Sequence, residues 1–78
     1  MEIDGNIIEM VAVVSSNIEA IGYYPQESKL IVQFKSNGYV YAYDNVTEPT
    51  YKDLLTAESV GKFLAAFIKP NHTTTRIR

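Results

Sequence analysis

Cysteine is absent from the 78 residues, which rules out both a disulfide framework and a thiolate metal site. Histidine occurs once, as His72, with no partner at metal-ligand spacing, and the carboxylates are scattered, so no metal centre is expected. Gly5, Gly22, Gly38 and Gly61 stand alone, which leaves no glycine-rich loop to cradle a phosphate. No apolar run reaches the ~18–20 residues that cross a bilayer. A basic leader is missing too: the chain opens MEIDGNIIEM, acidic where a signal peptide is basic, and a cytoplasmic protein is expected. Seven Lys+Arg against nine Asp+Glu give a net charge of −2, so the chain lacks the basic footprint of sequence-independent binding to long nucleic acid. A Ser15/Ser16–His72–Asp44 arrangement has the residue types of a hydrolytic triad, but no spacing favours it. The expectation is a protein that is not an enzyme and needs no cofactor.

What is present is globular. Apolar residues make up 46% and charged residues 21%, the balance of a folded chain and not of a disordered one. At this length a single domain over residues 1–78 is expected, with a thin core burying roughly 60–65% of the unfolded surface. Its centre is Lys29 to Val46, KLIVQFKSNGYVYAYDNV, two alternating runs joined at Asn37-Gly38. Asn-Gly between such runs signals a two-residue type I′ hairpin, which predicts Phe34 opposite Tyr41 and Val32 opposite Tyr43. Period-2 alternation puts Leu30, Val32, Phe34, Tyr39, Tyr41 and Tyr43 on one face and leaves a more mixed set on the other.

Residues 1–6 are read as loose. Ile7–Val14 (IIEMVAVV) is a β-branched run apolar on both faces, hence a strand either central in the sheet or at a subunit contact. Ser15-Ser16-Asn17 breaks it, as a plain turn or as a polar cluster for a ligand. Ile18–Tyr24 is the next strand, in which Gly22 marks a bulge or a close backbone approach. Pro25–Ser28 is a turn. After the hairpin, Thr47-Glu48-Pro49 starts a short helix reaching Leu55. Thr56 is expected to cap a second helix carrying the stripe Val60, Phe63, Leu64, Phe67 and Ile68, with Gly61 allowing close packing on a strand. Pro70 and Asn71 end it, and 71–78 is a loose tail or a fifth edge strand. The fold class is α+β: a four-stranded antiparallel meander with C-terminal helices packed on one face.

The order of motifs resembles the KTSC family, a short domain found alone in bacterial and phage proteins and at the C-terminus of some lysyl-tRNA synthetases. The matching residues are Val14-Ser15-Ser16-Asn17-Ile18, Ile21-Gly22-Tyr23, the Leu30/Val32/Phe34 alternation, the tyrosine pair Tyr41 and Tyr43 with Val46 following, and Ala57–Phe63, similar to the family's A-x-S-x-G-x-[YF] segment. Tyr24 departs from the pattern, standing where an aspartate is expected. The resemblance implies no assigned activity. It suggests RNA binding through the synthetase context. Stand-alone phage proteins of this size also include scavengers of immune nucleotide messengers.

Binding is the function class the residues favour. The six tyrosines serve equally as core or as stacking surfaces, each worth roughly 1–3 kcal/mol per stacked base where exposed. Lys62, Lys69, Arg76 and Arg78 crowd the last 17 positions, as a solvated helix face and tail or as a phosphate-contacting patch. Thr56–Lys62 opens a helix, whose free N–H groups are satisfied by capping or hold an anion. The expected ligand-binding set is Ser15, Ser16, Asn17, Tyr41, Tyr43, Ser59, Gly61, Lys62 and Arg76. Three functions follow: an oligomeric binder of a nucleotide-type ligand, of the kind that sequesters a nucleotide immune signal; an RNA-binding accessory domain; or a protein-interaction domain that forms a homo-oligomer through Ile7–Val14.

Overall fold

A computed structural model describes all of residues 1–78. Its centre is a five-stranded antiparallel sheet in the order β3-β4-β5-β6-β7, formed by Val11–Ala12, Ile18–Tyr24, Lys29–Phe34, Val40–Tyr43 and Thr74–Arg76. The expected four-strand meander is β3 to β6, and the tail adds the fifth strand. Residues 71–78 are therefore not loose: Asp44 N–H donates to Thr73 O (2.9 Å), Ile77 N–H to Val40 O (2.8 Å) and Val40 N–H to Arg78 O (3.0 Å). A threonine run beside an unpaired β6 edge closes the ladder because unpaired backbone groups are costly to bury.

The first six residues are ordered too. Glu2–Ile3 (β1) and Asn6–Ile7 (β2) form a hairpin. Asp4 (φ 51°) and Gly5 (φ 81°) both sit at positive φ between the paired Ile3 and Asn6, so the type I′ turn of this chain is Asp4-Gly5. At Asn37-Gly38 only the glycine has positive φ, 74°. Asn37 Oδ1 accepts the Tyr39 N–H (2.9 Å), and Gly38 N–H reaches back to Phe34 O (3.1 Å). The reversal is tight but takes four residues, 35–38. Val32 then pairs with Tyr41 and Leu30 with Tyr43, a register two residues from the expected one. An even shift preserves the faces, which is why the core assignment survives it.

On one face Ile18, Ile21, Leu30, Val32, Tyr43 and Val46 pack against Leu54, Val60, Leu64 and Ile68. Thr47 caps the first helix, Glu48–Leu55 (α1), accepting the Thr50 N–H, with Pro49 in its first turn. Thr56 caps its C-terminus, and the second helix, Val60–Phe63 (α2), starts at Ser59 instead, whose Oγ accepts the Lys62 N–H (3.2 Å). Over Leu64–Ile68 this helix widens to a π turn in which Lys69 N–H bonds to Leu64 O. The wider turn keeps Val60, Leu64 and Ile68 on the sheet and swings Phe67 out to 59% exposure, so the expected stripe is narrower. The other sheet face carries a second core of Ile8, Tyr24, Ile31, Val40 and Ala42 under the N-terminal hairpin, with Met1, Ile3, Met10 and Ile77 around it.

Ile7–Val14 is not one strand, and it is not central. Ile7 ends the hairpin, Ile8 turns into the second core, and only Val11–Ala12 joins the sheet, at its edge. Gly22 permits the crossing: a Cβ there would meet Met10 Sδ at 2.7 Å and Glu9 O at 2.9 Å. No helix is long and apolar enough to cross a membrane.

Burial raises the hydroxyl pKa of Tyr43, with the Tyr41 phenol adding to it and a Thr74 hydrogen bond opposing it. Burial, then the Glu9 carboxylate, raises that of Tyr51. A phenol with a raised folded-state pKa contributes stability that is fully present below its unfolded value near ~10 and is lost as pH rises through the folded value. Titration is expected to show Tyr43 and Tyr51 ionising above the ordinary phenol value, with stability declining from about pH 10 upward. Ionisation of these two at the ordinary value while the fold persists would contradict this.

Candidate functional site

Two grooves meet at the tip of the β5–β6 hairpin. The first is an open cleft of about 780 Å³ between the Ser15–Asn17 turn and the start of α2. The turn is self-bonded: Ser15 Oγ accepts from the N–H of Asn17 (3.3 Å) and of Ile18 (3.2 Å) and donates to Asn17 Oδ1 (2.9 Å). From the hairpin tip, Lys35 ties in through its N–H to Asn17 O (2.9 Å) and through its ammonium to Ser15 O (2.7 Å). Gly61 sets how close the helix comes, because a Cβ there would stand 2.9 Å from Asn17 Oδ1 and 3.5 Å from Ser15 Oγ. The close approach expected of this glycine is thus to the turn and not to a strand.

This cleft gathers six of the nine expected residues: Ser15, Ser16, Asn17, Ser59, Gly61 and Lys62. Two more, Tyr41 and Tyr43, line the second groove, of about 450 Å³. Tyr43 is buried in the core beneath it, and Tyr41 is half-buried and packed against the same core. Arg76 lines neither groove; its guanidinium lies 3.5 Å from the centroid of the Tyr39 ring, so the structure does not bring it to the other eight. Residues the sequence reading missed are Lys35 and Glu58 in the first groove and Phe34 and Lys69 in the second. Lys35 was legible only as one position of the hairpin's more mixed face; it took the fold to bring it to the serine turn.

Charge in the first cleft is mixed and slightly positive: Lys35 and Lys62 against Glu58. The Lys62 side chain makes neither a salt bridge nor a hydrogen bond; the single ion pair of the molecule is Lys29–Asp44, at 3.8 Å. Two ammonium groups, the Ser16 and Ser59 hydroxyls and an exposed turn backbone suit an anion with several oxygen acceptors. A triad is not assembled. His72 Nδ1 bonds the backbone carbonyl of Asp44 (2.8 Å) and is partly buried, not a free surface side chain. The Asp44 carboxylate faces Lys29. Tyr24, at the departure from the family pattern, is buried and accepts a hydrogen bond from Asn6 Nδ2 (2.8 Å), so the position that a carboxylate would fill anchors the N-terminal hairpin.

Comparison with known proteins gives a consistent result. The KTSC domain family model matches residues 14–72. A protein of Tsukamurella paurometabola is 44% identical over 61 residues, covering 78% of this chain and 90% of that protein. A protein of Stutzerimonas stutzeri is 35% identical over 65 residues, covering 83% of this chain and 90% of its own length. The crystal structure of a KTSC domain protein from Yersinia pestis superposes with a TM-score of 0.85 at 32% identity, covering 92% of this chain and all of that one. With the family model spanning the serine turn, the hairpin and both helices, and a family structure sharing the fold, this chain belongs to the KTSC domain family.

Proposed function

We propose that the protein is a non-catalytic binding module for a nucleotide-type ligand, whose phosphate is held in the cleft between the Ser15–Asn17 turn and the Ser59–Lys62 helix start. The observation that supports this most is the meeting of Lys35 and Lys62 with the Ser16 and Ser59 hydroxyls across a cleft kept narrow by Gly61. Those residues come from three separate stretches of chain and converge only on folding. The acidic overall balance suits a compact anion better than a long polyanion. Binding without turnover makes the protein a sequestering agent, stoichiometric with its ligand, as a sponge for a nucleotide signal would be.

Mixing with mono-, di- and cyclic nucleotides is expected to raise the melting temperature. At a ligand concentration 100 times Kd the gain is about 2.7 kcal/mol, which is roughly 10–20 °C for a domain of this size. Lys62→Glu is expected to weaken that binding at least ~tenfold while leaving the ligand-free melting temperature within a degree or two, since its head group is exposed and unpaired. A flat response across the panel refutes the reading. Affinity for oligonucleotides that falls steeply with salt, with none for mononucleotides, would favour the RNA-binding alternative.

A second reading, self-association through Ile7–Val14, is favoured by a specific feature. Val14 is fully exposed and Val11 37% exposed at the free edge of β3, and Ile7, in the N-terminal hairpin, is 80% exposed. Exposed apolar side chains at an unpaired strand edge make a surface that proteins ordinarily cover. Light scattering at high concentration tests it: a multiple of 8.8 kDa that reverts to the monomer with Val14→Lys is expected, and a monomer throughout removes it.

A further inference from the structure

The second groove has walls the first one lacks. Phe34 and Tyr41 stand nearly perpendicular, their centroids 5.6 Å apart at 78°. The Lys69 ammonium lies 5.6 Å from the Phe34 centroid. Tyr43 forms the base, with Thr74 beside it. The hairpin loop closes the outer side with Ser36 and Asn37. Asn37 Oδ1 is already committed to the Tyr39 N–H, so the amide group it turns outward is the Nδ2 donor. No carboxylate lines the groove. An aromatic corner, an ammonium and an amide donor, and no anionic acceptor make a site for a planar ring that carries carbonyl oxygens.

The two grooves are also neighbours. Ala65 lines the first and Lys69 the second, four residues apart and about one turn along the same helix. Lys35 and Ser36, adjacent in the chain, divide between them in the same order. A sugar spans that separation when a phosphate occupies one groove and a ring the other.

We infer that the second groove holds the base of the ligand and selects oxo-bearing rings, guanine or uracil, over adenine; this rests on the nucleotide reading above. A carbonyl oxygen accepts from Lys69 and from Asn37 Nδ2. Adenine offers an exocyclic amine there and forfeits the charge-assisted hydrogen bond that a carbonyl oxygen makes with Lys69, together with the one from Asn37 Nδ2.

Calorimetry and amide chemical-shift mapping with guanosine monophosphate, adenosine monophosphate and ribose 5-phosphate test this. The guanosine nucleotide is expected to bind about tenfold tighter than the adenosine one, shifting resonances in both grooves, whereas ribose 5-phosphate shifts only those of the Ser15–Asn17 turn and of Ser59–Lys62. Ser36→Trp, which fills the second groove from an exposed loop position, reduces the guanosine nucleotide to the affinity of ribose 5-phosphate. Lys69→Met abolishes the guanosine preference and spares adenosine. Equal nucleotide affinities that Ser36→Trp leaves unchanged, with shifts confined to the first cleft, would overturn this inference and leave the phosphate reading standing. Failure of all three compounds to bind would overturn both.

Discussion

Leu64→Ala is expected to lower the free energy of unfolding by about 3–4 kcal/mol, the cost of a buried leucine plus the cavity it leaves. Leu64 is 1% exposed and sits among the ten residues of the helix-side core. The helix that carries Gly61, Lys62 and Lys69 is held to the sheet by the buried Val60, Leu64 and Ile68, with Phe63 half-buried beside them. Total stability for a chain of this length is roughly 4–12 kcal/mol, so the loss is a large share, and urea unfolding resolves it easily. Phe67→Ala is the informative control. A larger side chain is removed there, but from a site 59% exposed, and the expected cost is below about 1 kcal/mol. An uninterrupted α-helix would have put Phe67 on the apolar stripe with Leu64. Equal costs for the two substitutions would mean that the π turn over Leu64–Ile68 does not form.

Gly22→Val is expected to cost about 2–3 kcal/mol by overpacking, and to act on the opposite face of the sheet. Even the first added carbon would lie 2.7 Å from Met10 Sδ, 2.9 Å from Glu9 O and 3.0 Å from Ile8 Cγ2. The thioether can swing away, but the carbonyl belongs to the backbone and moves only with the segment. The strain is relieved most directly by lifting residues 1–10 off the sheet, which uncovers Ile31, Val40 and Ala42. Limited proteolysis should then cut near the N-terminus while the helix-side core stays protected. The Ser15–Lys62 cleft lies on the other face, so ligand-induced stabilisation should persist in the variant. Global unfolding with no early N-terminal cleavage would show that the two cores are one cooperative unit.

The two substitutions mark which parts of the fold could be read in advance. The β5–β6 faces followed from period-2 alternation, which depends on the pleat alone and tolerates a register shift of two. The start of α1 at Thr47-Glu48-Pro49 was equally legible, since a cap and an N-terminal proline are local chemistry. Asp4-Gly5 carried the same turn signal as Asn37-Gly38 and went unread because no long alternating run flanks it. At Asn37 the side chain competed with the backbone by accepting the Tyr39 N–H, which widened the loop. Thr56 and Ser59 are both good caps. Only the packing of α1 and α2 decides that Thr56 closes one helix and Ser59 opens the next.

The candidate site divides in the same way. The residue types that bind anions, Ser15, Ser16, Ser59 and Lys62, were visible as such, and Gly61 was visible as a point of close approach. What it approaches was not visible, nor was the arrival of Lys35 and Lys69 from either side of the hairpin tip.

By itself, then, the sequence determined that this protein is a cysteine-free α+β domain with an antiparallel meander, which side of the hairpin meets the helices, and that no metal or phosphate-loop motif is written into it. Tertiary structure alone decided that the N-terminal hairpin and the C-terminal strand close the second face and the β6 edge, that the π turn ejects Phe67, and that eight of nine expected residues fall into two adjoining grooves while Arg76 stacks on Tyr39. The reason is physical. Periodicity and capping are set by neighbours a few residues away, whereas a groove is the space left between segments distant in sequence, and its walls exist only once the core has fixed their separation.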